Sequence, residues 1–219
     1  MCEIFSAFYR RGSAVLYCLV LFDAAVLFFK PLSCYNLVVQ GLNLFTRVLR
    51  GEWRWLSLSI LKICTYPDPV LRNENKPVKV FDDELRKIVA DMYETMYAAD
   101  GIGLAGPQIG LNKQIIVIDY QGEKYTLINP EIIKSEGSEV HEEGCLSFPR
   151  IYVKVPSPVS MTVVYKDEFG NEHTKQTEGF LTTVFSHEID HLHGRMLIDR
   201  VSPLKRSFMK KKIEKESGK

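Results

Sequence analysis

The 219-residue chain has almost no net charge, no closely spaced pair of cysteines and no clean apolar run of membrane-spanning length. A formal charge of +1, from 28 basic and 27 acidic residues, gives no bulk field for holding DNA or RNA. The five cysteines (Cys2, Cys18, Cys34, Cys64 and Cys145) are far apart in sequence, with no Cys-x-x-Cys pair among them. A disulfide framework is therefore not expected, and a reducing compartment, the cytoplasm, is. Ser13 to Phe29 is strongly apolar, but at 17 residues it sits at the short edge for a membrane span. It also contains Asp23, and an aspartate in mid-membrane costs roughly 2.5–3.5 kcal/mol. No small-residue cleavage site follows it, which argues against a secretory signal. Hydrophobic residues at 46% suffice for a core, so the chain is not disordered throughout.

Charge divides the chain near Ser59. Residues 1–59 hold six basic side chains (Arg10, Arg11, Lys30, Arg47, Arg50, Arg54) against three acidic ones (Glu3, Asp23, Glu52). Residues 60–219 keep the other 22 basic and 24 acidic, so the two stretches carry about +3 and about −2. Three readings fit 1–59: upstream sequence included by a wrongly placed start, a targeting segment or membrane anchor, or an extra helical subdomain. The first is preferred, and 60–219 is read as the catalytic domain.

What the chain does have is chemistry concentrated in three short segments. His187-Glu188-Ile189-Asp190-His191 puts two imidazoles four residues apart. On a helix such residues share one face, so both rings can reach one ion. Glu188 is offset by about 100°, beside the ion and outside its ligand shell, where a general base acts on water. Two histidines falling on a helix by chance would read the same. The apolar lead Phe180–Phe185 and the terminating Gly194 instead describe a buried helix with a glycine stop. Buried imidazoles without a partner need a reason to be there.

An open catalytic site needs a third protein ligand. Downstream choices are poor: Leu197 stands where a metzincin places its third histidine, and Glu214 and Glu216 lie in a Lys-rich tail. Upstream, Glu142-Glu143-Gly144-Cys145-Leu146-Ser147-Phe148-Pro149 sets a cysteine in a glycine-containing turn, where a thiolate can approach another group closely. The other four cysteines lack such a setting and read as small buried hydrophobes. Gly101-Ile102-Gly103-Leu104-Ala105-Gly106-Pro107-Gln108-Ile109-Gly110 packs four glycines into ten residues. It does not read as a dinucleotide loop, because a helical pattern and not a strand precedes it. Gln108 is the one side chain there able to donate hydrogen bonds, and so able to stabilise an oxyanion.

In this order, the glycine-rich stretch ending in glutamine, Glu143-Gly144-Cys145-Leu146-Ser147 and His187–His191 resemble the three motifs of the peptide deformylase family. Phe148-Pro149 and a C-terminal helix look like its bacterial type I branch. The resemblance covers about Ile60 to the C-terminal region. It implies a hydrolase that removes the N-formyl group from the N-terminal methionine of newly made polypeptides and releases formate, a step of protein biosynthesis. It implies Cys145, His187 and His191 as metal ligands and Glu188 as proton shuttle. Gln108 and the backbone N–H of Leu146 would hold the oxyanion, and Gly103 would receive the substrate backbone. Fe²⁺ is the implied ion, with Zn²⁺, Ni²⁺ or Co²⁺ able to replace it. N-formylmethionyl nascent peptides are the implied substrates, and the basic helix of residues 204–216 suggests contact with the ribosome; DNA is not a partner. Gly106 and Ser186 depart from the family's usual Ala and Gln, and tuning of activity or stability is expected from them.

The architecture expected for 60–219 is α+β, with antiparallel-rich β-sheets around a central metal-binding helix, an N-terminal helix and a C-terminal helix. Leu85, Ile88, Val89, Met92 and Met96 recur at helical spacing after a cap at Asp82 or Asp83. Gln114–Asp119 and Tyr125–Ile133 read as strands. Met161–Tyr165 and Glu172–Thr177 read as a hairpin around Asp167–Asn171. His141 and His173 are expected at the loop or hairpin surface, His193 at the helix end without touching the metal, and Leu204–Glu216 as an exposed basic helix.

Overall fold

A computed structural model gives the structure of residues 59–217, with side chains described as far as Ile213. The expectations for Ser13–Phe29, Cys2, Cys18 and Cys34 lie outside the described residues. Among those described, no helix is long and apolar enough to cross a membrane.

Helix α1, Asp83–Ala98, starts where Asp82 accepts a hydrogen bond from the N–H of Leu85 at 3.0 Å. This satisfies one of the helix's unpaired donors. Seven strands follow: β1 Gly103–Ala105, β2 Ile115–Tyr120, β3 Glu123–Glu136, β4 Glu139–Cys145, β5 Phe148–Ser157, β6 Ser160–Lys166 and β7 Glu172–Glu178. Helix α2 is Phe180–Leu192, and α3 is Pro203–Ser217. One antiparallel sheet has the order β1-β2-β3-β6-β7, and β4-β5 form a separate antiparallel pair. The α+β expectation is met.

Strand β2 explains how the layers stack. Successive strand residues face opposite sides of a sheet, and Ile115 to Ile118 are all fully buried. Ile115 and Val117 meet Leu85, Val89, Met92 and Met96 of α1 on one face. Ile116 and Ile118 meet Val184, Phe185, Ile189 and Leu192 of α2 on the other. A strand covered on both faces reads as a continuous apolar run. Burying Phe185 alone contributes about 1.5–3 kcal/mol. Helix α2 is thereby fixed against the sheet, and its remaining face is free to carry ligands.

A second core lies under the β4-β5 pair, where Phe148, Ile151 and Val155 pack with Leu71, Met196, Leu197, Ile198, Met209 and Ile213. Helix α3 departs from the expectation of a wholly exposed helix. Met209 and Ile213, one turn apart on the same face, are buried there, while Lys205 and Lys210–Lys212 remain exposed. The β6-β7 hairpin agrees with the sequence, as does the helix end at Leu192 followed by Gly194 at φ 67°. The β4-β5 pair was not anticipated.

Candidate metal centre

Strand β4 carries a row of polar side chains on its inner face. His141, Glu143 and Cys145 alternate with the exposed Val140, Glu142 and Gly144. A register shift between Gly144 and Cys145 sets Cys145 opposite Phe148 and aims the thiol at α2. Helix α2 answers with His187 and His191 one turn apart, their ring centroids 5.1 Å from each other. Cys145 Sγ lies 3.3 Å from His191 Nε2. The donor atoms of Cys145, His187 and His191 all lie within 4.8 Å of one another. A single small ion about 2.0–2.3 Å from each donor bridges such a span. Among the described residues no fourth His, Cys, Asp or Glu joins the group, so a corner stays open, as in catalytic and not structural sites.

The state of each ring follows from its surroundings. His187 Nδ1–H donates to Glu143 Oε2 at 2.8 Å, which leaves Nε2 as the ligand atom. Without an ion, burial would depress His187, but the Cys145 sulfur, the Glu143 carboxylate and Glu188 outweigh it and hold the ring well above its usual value; an ion at Nε2 would take the place of that proton. Burial, with the charge of His187, pushes His191 well below that value. Its Nδ1 is buried without a partner, so a neutral ring keeps a lone pair for an ion. One thiolate with two imidazoles suits a divalent transition metal.

Glu188 is 5% exposed, and its Oε2 has no hydrogen-bond partner. Burial raises its carboxyl to about 7, against an opposing pull from His187. Gly103 makes room for it, since a Cβ there would lie 2.5 Å from Glu188 Oε1. Gly103 has no positive φ, so contact and not backbone strain is what excludes a side chain. We expect Gly103→Ala to displace the carboxylate and lower kcat by up to about 10²-fold with metal content unchanged. Turnover within twofold of the parent would refute this reading.

Gln108 is 1% exposed, and both ends of its amide are committed. Its Oε1 accepts from the Ala105 N–H at 2.7 Å. Its Nε2 donates to Ser147 Oγ at 3.3 Å and to Cys145 Sγ at 3.6 Å, so the donor end faces the metal centre. Leu146 follows Cys145 directly in the turn between β4 and β5. Cys64 stays apart, a half-buried thiol near Gly110. His173 is exposed as expected and His193 caps the helix end outside the donor group, whereas His141 is half-buried against Phe180, with ring centroids 6.1 Å apart. The side chains of Glu214 and Glu216, the downstream alternatives, lie outside the described residues.

Glu143, which the sequence named only as part of its motif, and Arg200, which it did not single out, complete the site. Glu143 is 4% exposed and accepts from His187, from Ser157 Oγ at 2.5 Å and from Arg200 Nη1 at 3.2 Å to each oxygen. Burial would raise its carboxyl, but the His187 hydrogen bond and charge, Ser157 and Arg200 prevail and hold it below the usual carboxylate range. Its place two residues before Cys145, on the same strand face, was the available signal. Ser186 receives Arg200 Nη2–H at 3.1 Å. At the other departure from the family pattern, Gly106, a Cβ would press to 2.6 Å on the Lys113 carbonyl, so glycine suits this packing.

The polypeptide deformylase family model matches residues 60–207. The peptide deformylase of Desulfotalea psychrophila is 46% identical over 164 residues, 72% of this chain and 97% of that protein. Peptide deformylase 1 of Burkholderia multivorans is 47% identical over 163 residues, 73% of this chain and 90% of its own length. A crystal structure of a peptide deformylase from Legionella pneumophila is similar with a TM-score of 0.70 and 42% identity, over 73% of this chain and 96% of that one. With its three motifs drawn into one open centre and its relatives matched over nearly their whole length, this chain belongs to the polypeptide deformylase family.

Proposed function

We infer that this chain is a metal-dependent hydrolase that removes the N-formyl group from the N-terminal methionine of nascent polypeptides and releases formate. The observation that carries the reading is the open three-donor centre of Cys145, His187 and His191, with the Glu188 carboxyl beside it. Cys145, His187 and His191 would hold a divalent ion, which would supply Lewis-acid polarisation of a carbonyl oxygen and would bring the pKa of water from ~16 toward ~7. The protein supplies the rest. Glu188 takes a proton from water and returns it to the leaving amine. Gln108 Nε2–H and the Leu146 N–H are assigned to hold the oxygen on which charge develops, where losing one such donor costs about 10²–10³ in turnover. Gly103 admits the Glu188 carboxylate and is assigned to receive the substrate backbone.

Fe²⁺ is our assignment for the native ion, with Zn²⁺, Ni²⁺ and Co²⁺ as substitutes; a sulfur and two nitrogens accept all four. Residues 60–219 are assigned as the catalytic unit, acting in the cytoplasm. The exposed lysines of α3 are assigned to the ribosome surface, beside the emerging substrate. A rival reading, a peptidase cutting internal amide bonds, predicts a different product. The test is formate release from formyl-Met-Ala-Ser against cleavage of the unformylated peptide. Formate from the first and no cleavage of the second is the expected result; cleavage of the unformylated peptide would overturn the reading.

A further inference from the structure

Arg200 touches a neighbour of every proposed metal ligand. It follows the short 3-10 turn Leu197–Asp199, outside both elements that supply the ligands, and its side chain is only 14% exposed. Its Nη1 reaches both oxygens of Glu143 at 3.2 Å, two residues before Cys145 on β4. Its Nη2 donates to the hydroxyl of Ser186, the residue before His187, at 3.1 Å. Its Nε lies 3.5 Å from Asp190 Oδ2, the residue before His191. One planar group therefore ties β4, which brings the sulfur, to α2, which brings both rings. Glu143 passes this hold on to His187 through the 2.8 Å hydrogen bond.

We propose that Arg200 is the positioning residue of the metal centre, setting the separation of Cys145 from the two histidines and fixing the His187 ring through Glu143. Three features of the chemistry point the same way. Glu143 and Asp190 are two carboxylates close to a sulfur ligand, and without a cation between them they repel one another. Arginine offers five donors in a rigid fork, whereas the single ammonium of lysine cannot serve Glu143, Ser186 and Asp190 together. Arg195 cannot take its place: it lies 3.7 Å from Asp190 and is 70% exposed. Groups that orient a metal-bound histidine commonly change metal affinity by about 10–100-fold when altered.

The test follows metal release from the full chain loaded with Co²⁺, whose absorption reports sulfur ligation, after a chelator is added. It rests on the assignment of Cys145, His187 and His191 as ligands, and the unaltered chain checks that assignment first. Without a cobalt–thiolate band in the parent, the functional reading and this proposal both fall. With the band present, Arg200→Lys should release cobalt about 10–100-fold faster, lower kcat and change KM little. A release rate within twofold of the parent sinks the positioning role alone. Should Arg200→Lys not fold, the double variant Ser186→Ala/Asp190→Ala removes two of the three ties and keeps Arg200 on Glu143. Release several-fold faster is expected from it, and an unchanged rate overturns the proposal.

Discussion

Replacing Glu188 by glutamine should lower kcat by about 10²–10⁴-fold, the range that a positioned acid–base group supplies, while one metal ion per chain is retained. Glutamine has the size and shape of glutamate but cannot exchange a proton at its amide. Glu188 is not among the three donors that cluster, so the ion should stay. Stability should move the other way from activity. The Oε2 of Glu188 is buried with no partner, and an unpaired buried carboxyl costs free energy in the folded state. The variant should therefore melt no lower than the parent, and higher if the amide finds a partner. A group kept at the expense of stability is kept for chemistry. Paired measurements of kcat, metal content and melting temperature check this, and a variant with near-normal turnover would remove Glu188 from the mechanism.

Much of this site could be read in the sequence because its chemistry is local. The spacing of His187, Glu188 and His191 fixes their relative directions once the segment is helical. The α1 pattern of Leu85, Val89, Met92 and Met96 and the apolar run Ile115–Ile118 declared a helix and a strand in the same way, though burial of that strand on both faces came only with the structure. What escaped was the β4-β5 pair. In an ordinary half-buried strand the inward row is apolar, whereas β4 turns His141, Glu143 and Cys145 inward and leaves Val140 exposed at 61%. Pattern reading fails where the buried row serves a metal centre. Arg200 was unreadable for another reason. Its partners Glu143, Ser186 and Asp190 lie 57, 14 and 10 residues away in sequence, brought together only by packing. Helix α3 was half legible: its lysines declared the exposed face, but Met209 and Ile213 are too few to announce the buried one.

Cys145→Ala should abolish tight metal binding, and with it activity, while leaving the fold intact. The change reduces the donor set from three to two, and among the described residues no other group stands ready to complete it. The two histidines cannot compensate by moving. Helix α2 is locked to the sheet by Val184, Phe185, Ile189 and Leu192, and the His187 ring is held at Nδ1 by Glu143. The half-buried thiol is small, and its removal leaves the packing of Phe148 with Tyr66, stacked at 5.4 Å, untouched. Metal analysis after dialysis should find about one ion per chain in the parent and almost none in the variant, with superimposable circular dichroism. A variant that keeps its ion would require a donor from elsewhere, such as the Glu214 and Glu216 tail, and would return the chain to the peptidase-like reading in which the third ligand follows His191.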